Sequence, residues 1–296
     1  VHGRNLGART WLALAATVLP WGASFAAIRA ALQDYSPAHL VLLRFIIASL
    51  ALGGYAWLVR MPLPARRDIA AMAAMGLVGV ALYQLSLNYG EMTVSSGAAS
   101  LIIASGPVFT AVFARLFLHE KLTAYGWLGI ALSVLGVALI ALGETAAFRL
   151  STGALLVLAA AVSTGAYNVL QKPFLRRYSA LQVTACAIWG STLLLLVFSR
   201  GLAGSIRAAS PQASLSIAFL GVFPAALSYA TWSYVLSRLP AGAAASFLYT
   251  VPPVAILVGW AWLGEVPTPL SLLGGGLCLA GIALVNRVGR SRAGAA

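Results

Sequence analysis

Thr164, Tyr167, Asn168 and Gln171 stand at i, i+3, i+4 and i+7 of an otherwise apolar stretch, a spacing that lines them up on one face of a helix. Hydroxyls, a phenol and carboxamides exchange hydrogen bonds without carrying charge. Such a face suits holding a neutral or zwitterionic solute better than breaking a bond in one. Three more apolar stretches carry comparable sets: Trp21 and Ser24; Tyr83, Gln84 and Asn88; and Ser228, Tyr229, Trp232 and Ser233. Arg44 is the one basic residue well inside an apolar stretch. A guanidinium there can grip a carboxylate bidentately, or snorkel to a membrane surface about 9 Å away along its helix. Lys172 ends the polar stripe and reads as a gate or a headgroup contact, Trp189 reads as a surface for stacking a ligand or as a lipid-facing side chain, and Tyr249 as a further liner. Pro107, Pro252 and Pro253 lie near the centres of two further stretches, where proline frees a carbonyl and kinks a helix, so they read as hinges or packing kinks.

No catalytic set accompanies these residues. His119-Glu120 has no second histidine three residues on, no G-x-S-x-G elbow occurs, and the three histidines are terminal or interfacial. Cys186 and Cys278 sit singly in apolar runs, without metal-ligand spacing. Neither an enzyme, a metal site nor a cofactor is expected.

The elements that must position these side chains are membrane helices. Of 296 residues 61% are hydrophobic and 8% charged, too few charges to cover a soluble surface and far too apolar for disorder. A crossing helix needs about 20 mostly apolar residues. Ten such runs are read at 11–31, 38–59, 69–89, 95–117, 124–142, 153–171, 181–199, 214–236, 242–263 and 268–287. The runs do not alternate apolar and polar residues as barrel strands do, so the fold class is an all-α polytopic membrane protein. The first run follows Arg4 and Arg9 as a signal peptide would, but is read as a retained helix because the internal repeat of the chain needs it.

The net charge of +13 is an orientation signal rather than a nucleic-acid footprint. Arg4, Arg9, Arg60, Arg66, Arg67, Arg115, Lys121, Lys172, Arg176, Arg177, Arg238, Arg287, Arg290 and Arg292 fall on one side of the ten-span layout, and only Arg29, Arg149, Arg200 and Arg207 on the other. Both termini are therefore expected in the cytoplasm. All six carboxylates, Asp34, Asp68, Glu91, Glu120, Glu144 and Glu265, fall between spans or at their ends. Proton- and sodium-driven pumps commonly carry such a group inside the membrane, so facilitated transport or exchange is expected.

The chain repeats itself. An offset of 145 pairs Pro107 with Pro252, Glu120 with Glu265, Thr123 with Thr268, Gly129 with Gly274 and Gly136 with Gly281; an offset of 143 pairs Arg29 with Lys172, Tyr35 with Tyr178 and Ser36 with Ser179. The repeat unit holds five spans, and an odd number inverts the second copy in the membrane. The expected halves are 1–145 and 146–296, two inverted five-helix repeats, with a substrate site near the midplane between them. The seven-residue glycine spacing on the fifth and tenth spans marks close helix packing.

The segments 104–140 and 248–285, each with a mid-span proline and a glutamate before its last helix, and the motif 21-WGASF-25 resemble the EamA-type transporters of the drug/metabolite transporter superfamily. The likeness covers nearly the whole chain, and within the superfamily is strongest to the bacterial YddG exporters of aromatic amino acids. It implies a basket of ten helices around a central cavity, the fifth and tenth helices outside it, working by alternating access in the bacterial inner membrane. The implied cargo is a small amphiphilic metabolite such as an aromatic or other neutral amino acid. Another metabolite, a drug or a nucleotide sugar is the runner-up, and a channel or an intramembrane enzyme the reading of a different class. The partners expected are that small molecule and membrane lipid, with no nucleic acid.

Overall fold

The computed structural model describes residues 8–117, 123–143, 151–238 and 247–287. Within them every regular element is helical, and the helices follow the apolar runs: α1 (Ala8–Ala31), α2 (Pro37–Leu58), α3 (Arg66–Gly90), α4 (Ser96–Phe117), α5 (Ala124–Gly143), α6 (Thr152–Leu175), α7 (Leu181–Ser199), α8 (Pro211–Val222, continued by Phe223–Leu227 and Ser228–Arg238), α9 (Val251–Leu263) and α10 (Pro269–Arg287). Seven of these are long and apolar enough to cross a membrane; α5, α9 and α10 contain shorter apolar helices. A short helix, Leu202–Ala208, joins α7 to α8.

The helices begin where serine can cap them. Ser36, Ser95, Ser151, Ser179 and Ser210 each accept a hydrogen bond from the backbone N–H three residues on, and Ser179 forms a full capping box with Gln182. Each cap satisfies a backbone donor that lipid cannot. The mid-span prolines stand at breaks in the helices, each in the opening turn of the segment that follows. α4 breaks at Ala104–Ser105 and restarts at Gly106, so Pro107 occupies a first turn; Pro252 and Pro253 open α9 after the 3₁₀ turn Leu248–Thr250. There the missing N–H costs no hydrogen bond.

The two copies pack alike. α1 lies against α9 as α6 lies against α4, and α2 lies against α8 as α7 lies against α3. Both α3 and α8 contain a π-helical turn at matching places, Leu77–Leu82 and Phe223–Leu227. α5 and α10 pack mainly on each other, at the close approach marked by their glycines: Ser133 Oγ donates to the carbonyl of Cys278 at 3.1 Å. Leu12, Trp57, Leu193 and Leu257 are between 61% and 79% exposed, an apolar outer surface that only lipid can cover.

Successive helices reverse direction, which defines a face carrying the described chain ends and a face opposite. On the terminal face Asp68 accepts the Tyr178 hydroxyl at 2.6 Å and pairs with Arg177 at 3.2 Å, while Gln182 donates to the carbonyl of Pro62 at 2.6 Å. On the opposite face Asp34 accepts the backbone N–H and the hydroxyl of Ser210, Tyr35 meets Ser214 at 3.0 Å, and His39 bridges Ser205 and the carbonyl of Arg200. The hydrogen bonds of Ser210 hold the Asp34 carboxyl below its usual range.

Candidate functional site

Eight helices surround a cavity of about 410 Å³, to which α5 and α10 contribute nothing. Its size fits one small solute. The lining divides into three walls of different chemistry.

The first wall is aromatic. Trp21 of α1 meets Tyr229 of α8 edge-on with ring centroids 5.8 Å apart, and Trp232, one turn further along α8, at the same distance. The Trp21 indole N–H donates to the carbonyl of Pro224 at 3.0 Å. Pro224 lies in the π-helical turn of α8, where widened backbone leaves a carbonyl for a side-chain donor. Ser24 lies one turn on from Trp21 and turns its hydroxyl back to the Trp21 carbonyl.

The second wall is amide-rich. Asn168 donates through Nδ2 to Thr110 Oγ1 at 3.1 Å and accepts through Oδ1 from Gln171 Nε2 at 3.1 Å. Thr164 and Tyr167 complete this face of α6. The close packing of Tyr167 depends on Gly79, since a Cβ there would run into the Tyr167 ring.

The third wall carries the charge. Arg44 of α2 is 5% exposed, donates from Nη1 to Gln84 Oε1 at 3.0 Å, and leaves its buried Nε without a partner. Tyr83 and Gln84 of α3 flank it in the cavity. Among the described residues no carboxylate lines the cavity or pairs with Arg44. A buried cation without an anion is unfavourable unless something else supplies the charge. The site is equipped for a solute that brings a negative group to Arg44, an apolar body to the aromatic wall and a polar end to the amides.

Trp21, Ser24, Arg44, Tyr83, Gln84, Pro107, Thr164, Tyr167, Asn168, Gln171, Tyr229, Trp232 and Pro252 thus meet around one space. Other expected site residues stand back from it. Asn88, next to the liner Leu87, is fully buried off the cavity and donates to the carbonyl and side chain of Gln84. Ser228 is fully buried against α1, its hydroxyl on the carbonyl of Ala16 at 3.2 Å. Trp189 packs between α7 and α2 with its N–H on the carbonyl of Ser49 at 3.2 Å, so it faces neither ligand nor lipid alone. Pro253 and Lys172 do not line the cavity either, and the side chains of Ser233 and Tyr249 lie outside the described residues. Sequence reasoning missed Gly79, Ser100, Thr184 and Pro224 as liners. Gly79 and Pro224 have no polar side chain and lie in the π-helical turns, which shift the register that a 3.6-residue period assumes, while Ser100 and Thr184 are single hydroxyls outside the polar stripes.

The chain matches the model of the EamA-like transporter family twice, over residues 9–142 and 151–287. It is 41% identical over 290 residues to a protein of Streptantibioticus cattleyicolor described as a probable terminal-alkyne amino-acid exporter, covering 97% of each chain. It is 41% identical over 262 residues to the Bacillus subtilis transporter YdfC, covering 88% of this chain and 86% of that one. The Escherichia coli inner membrane transporter YedA is 26% identical over 281 residues, with 93% and 89% covered. A solved crystal structure shares the fold at 18% identity with a TM-score of 0.62, over 93% of this chain and 96% of the other.

Proposed function

The chain belongs to the EamA-like transporter family, and from that membership we propose that it exports small amphiphilic amino acids, aromatic ones foremost, by alternating access. It is a multi-pass membrane transporter; the cargo, the direction and the moving parts are the proposal. The halves 1–145 and 146–296 act as the two inverted units, exposing the cavity to each side in turn, with both termini in the cytoplasm of a bacterium and the chain in its inner membrane.

The observation that carries the cargo is Arg44, a buried guanidinium with no carboxylate partner among the described residues, sharing one cavity with an aromatic wall. An α-carboxylate satisfies the guanidinium, and an apolar side chain covers Trp21, Tyr229 and Trp232. The amides of Asn168 and Gln171 accept the ammonium. The relative described as an amino-acid exporter agrees with this class. A neutral sugar fills the same space but leaves Arg44 unpaired, which makes it the poorer cargo. No carboxylate among the described lining residues offers a proton path through the cavity, which supports facilitated transport or exchange.

Counterflow in proteoliposomes tests this. Labelled phenylalanine, leucine and their decarboxylated amines are compared, with unlabelled solute inside. Saturable counterflow is expected for the amino acids and little for the amines. An imposed pH gradient alone is expected to leave the amino acids unconcentrated. Unsaturable flux without exchange, or equal transport of the amines, overturns the proposal.

A further inference from the structure

On the face opposite the termini, beyond the cavity-lining residues Phe25 and Leu87, a polar layer joins the two halves of the chain, and we infer that it forms the closure of that face. Arg29 Nε donates to Glu265 Oε1 at 2.8 Å, and Arg29 Nη1 donates to the backbone carbonyl of Glu91 at 2.6 Å. The second oxygen of Glu265 accepts from the backbone N–H of Ser96 at 2.8 Å and from its hydroxyl at 2.6 Å. Both oxygens of the Glu265 carboxylate are thereby bonded, while a second carboxyl has no such partners. Glu91, in the turn between α3 and α4, is fully buried, and neither of its side-chain oxygens has a hydrogen-bond partner.

Glu91 also lies on a line to the cavity. Gln84 and Asn88 of α3 and Glu91, its C-cap in αR conformation, occupy i, i+4 and i+7 on one face, with Gln84 held to Arg44 and Asn88 held to Gln84. Among the described residues five buried side-chain polar atoms have no partner. Four of them, Arg44 Nε, Asn88 Oδ1 and both oxygens of Glu91, belong to this line. Burial pushes the Glu91 carboxyl well above the usual carboxylate range; Arg29 pulls it back, Glu265 adds to it, and Arg44 pulls it back more weakly. Those three are the charged groups acting on it from α1, α2 and the end of α9. α6, packed on the turn through Gly153 and Val157, brings no titratable group there.

We propose that Glu91 is a proton-binding site governing this closure: its carboxylate takes a proton from the aqueous phase on that face as the face closes, and returns it to the same phase as the face opens. In the closed form an ionised Glu91 would be a buried charge with no donor, competing with Glu265 for Arg29. Opening hydrates it, and hydrated glutamate ionises at about 4.3. The closed form therefore binds the proton more tightly, so acid holds the face shut and alkali opens it. Between the hydrated and the buried values, each pH unit shifts the open-to-closed ratio by up to about tenfold. No net proton crosses the membrane, so gating by pH coexists with transport that is not proton-driven.

The inference rests on alternating access but not on the cargo, and its test uses no substrate. Met92 and Val266 are both exposed and flank the closure. With spin labels at these positions, in a background where Cys186 and Cys278 are replaced by alanine, inter-label distances are measured from mildly acidic to mildly alkaline pH in lipid. The long-distance population is expected to grow with pH by up to about tenfold per unit. In Glu91→Gln, which mimics the neutral carboxyl, it is expected to stay low throughout, and in Glu91→Asp to respond to pH again. A distribution that ignores pH in the unsubstituted protein, or a Glu91→Gln profile that follows it, overturns the proposal. Failed amino-acid counterflow beside an intact distance response overturns the cargo assignment alone.

Discussion

Arg44→Met is expected to weaken binding of a carboxylate-bearing cargo by about 10- to 100-fold, the equivalent of one charge-assisted interaction of about 1.5–3 kcal/mol. The same substitution is expected to leave thermal stability unchanged or to raise it. Arg44 is buried, makes one side-chain hydrogen bond to Gln84, and pairs with no carboxylate among the described residues. Methionine of similar reach removes the cost of burying that charge. The two effects have opposite signs, which separates a binding residue from a structural one. The decarboxylated amine provides the control: without the guanidinium its ammonium is no longer repelled, so its binding is expected to improve. Arg44→Lys is expected to recover only part of the loss, since a point charge cannot offer two parallel donors to a carboxylate while a third is held by Gln84. Isothermal titration with phenylalanine and phenethylamine, alongside a melting curve, reads all of this. Equal losses for acid and amine, or a lowered melting point with proportionate loss of binding, would assign Arg44 to the scaffold.

How much of this site is legible in the sequence depends on what each helix does locally. α6 is regular where it lines the cavity, so the period of Thr164, Tyr167, Asn168 and Gln171 carries directly into space. α3 and α8 each pass through a π-helical turn that adds a residue and rotates the remainder of the helix. Tyr229 and Trp232 survive that rotation into the cavity, whereas Ser228 turns against α1. Asn88 follows Gln84 by one turn, but its amide is spent on the carbonyl and side chain of Gln84 while Leu87 takes the place at the cavity, and polarity along a helix does not reveal which neighbour meets the space. Trp189 is an aromatic residue in the middle of an apolar run, and nothing in one dimension distinguishes a ligand surface from an indole bonded to a neighbouring backbone.

The helices themselves read out well because hydrocarbon enforces length and apolarity on each run independently. The predicted run 38–59 is found as Pro37–Leu58 and 69–89 as Arg66–Gly90. The polar layer around Glu91 is the opposite case. A charge between two apolar runs is read as solvated, and that places Glu91 outside the membrane spans correctly while missing that its turn is covered. The covering groups, Arg29 and Glu265, are 236 residues apart in the chain. The repeat register pairs Arg29 with Lys172 and Glu265 with Glu120, which relates the copies to each other but does not say that Arg29 and Glu265 meet.

Gly136→Val is expected to destabilise the protein by about 1–3 kcal/mol or more, the range for overfilling a packed contact. It is expected to leave cargo affinity intact in whatever fraction folds. The glycine spacing that marked α5 and α10 as a packing pair is met in space by backbone rather than by side chains. A Cβ on Gly136 would lie 2.5 Å from the carbonyl oxygen of Gly274 and 2.6 Å from the amide nitrogen of Cys278, and one on Gly274 would lie 2.5 Å from the carbonyl oxygen of Gly136. One on Gly281 would strike the carbonyl of Gly129. A flexible side chain could rotate away, but main-chain atoms in a helix cannot, so the helices must separate along their length. Two helices in lipid are held chiefly by close packing, and separation forfeits it. Neither α5 nor α10 touches the cavity, which is why affinity should not follow stability. Gly276 on the same α10 has nothing within 4 Å of its added Cβ, so Gly276→Ala is expected to be neutral or to stabilise by up to about 1 kcal/mol through helix propensity alone. Melting curves of the two variants in detergent decide the matter. If Gly136→Val melts with the parent, the α5–α10 contact is looser than the backbone distances require; if Gly276→Ala falls with Gly136→Val, the loss comes from the helix and not from its partner.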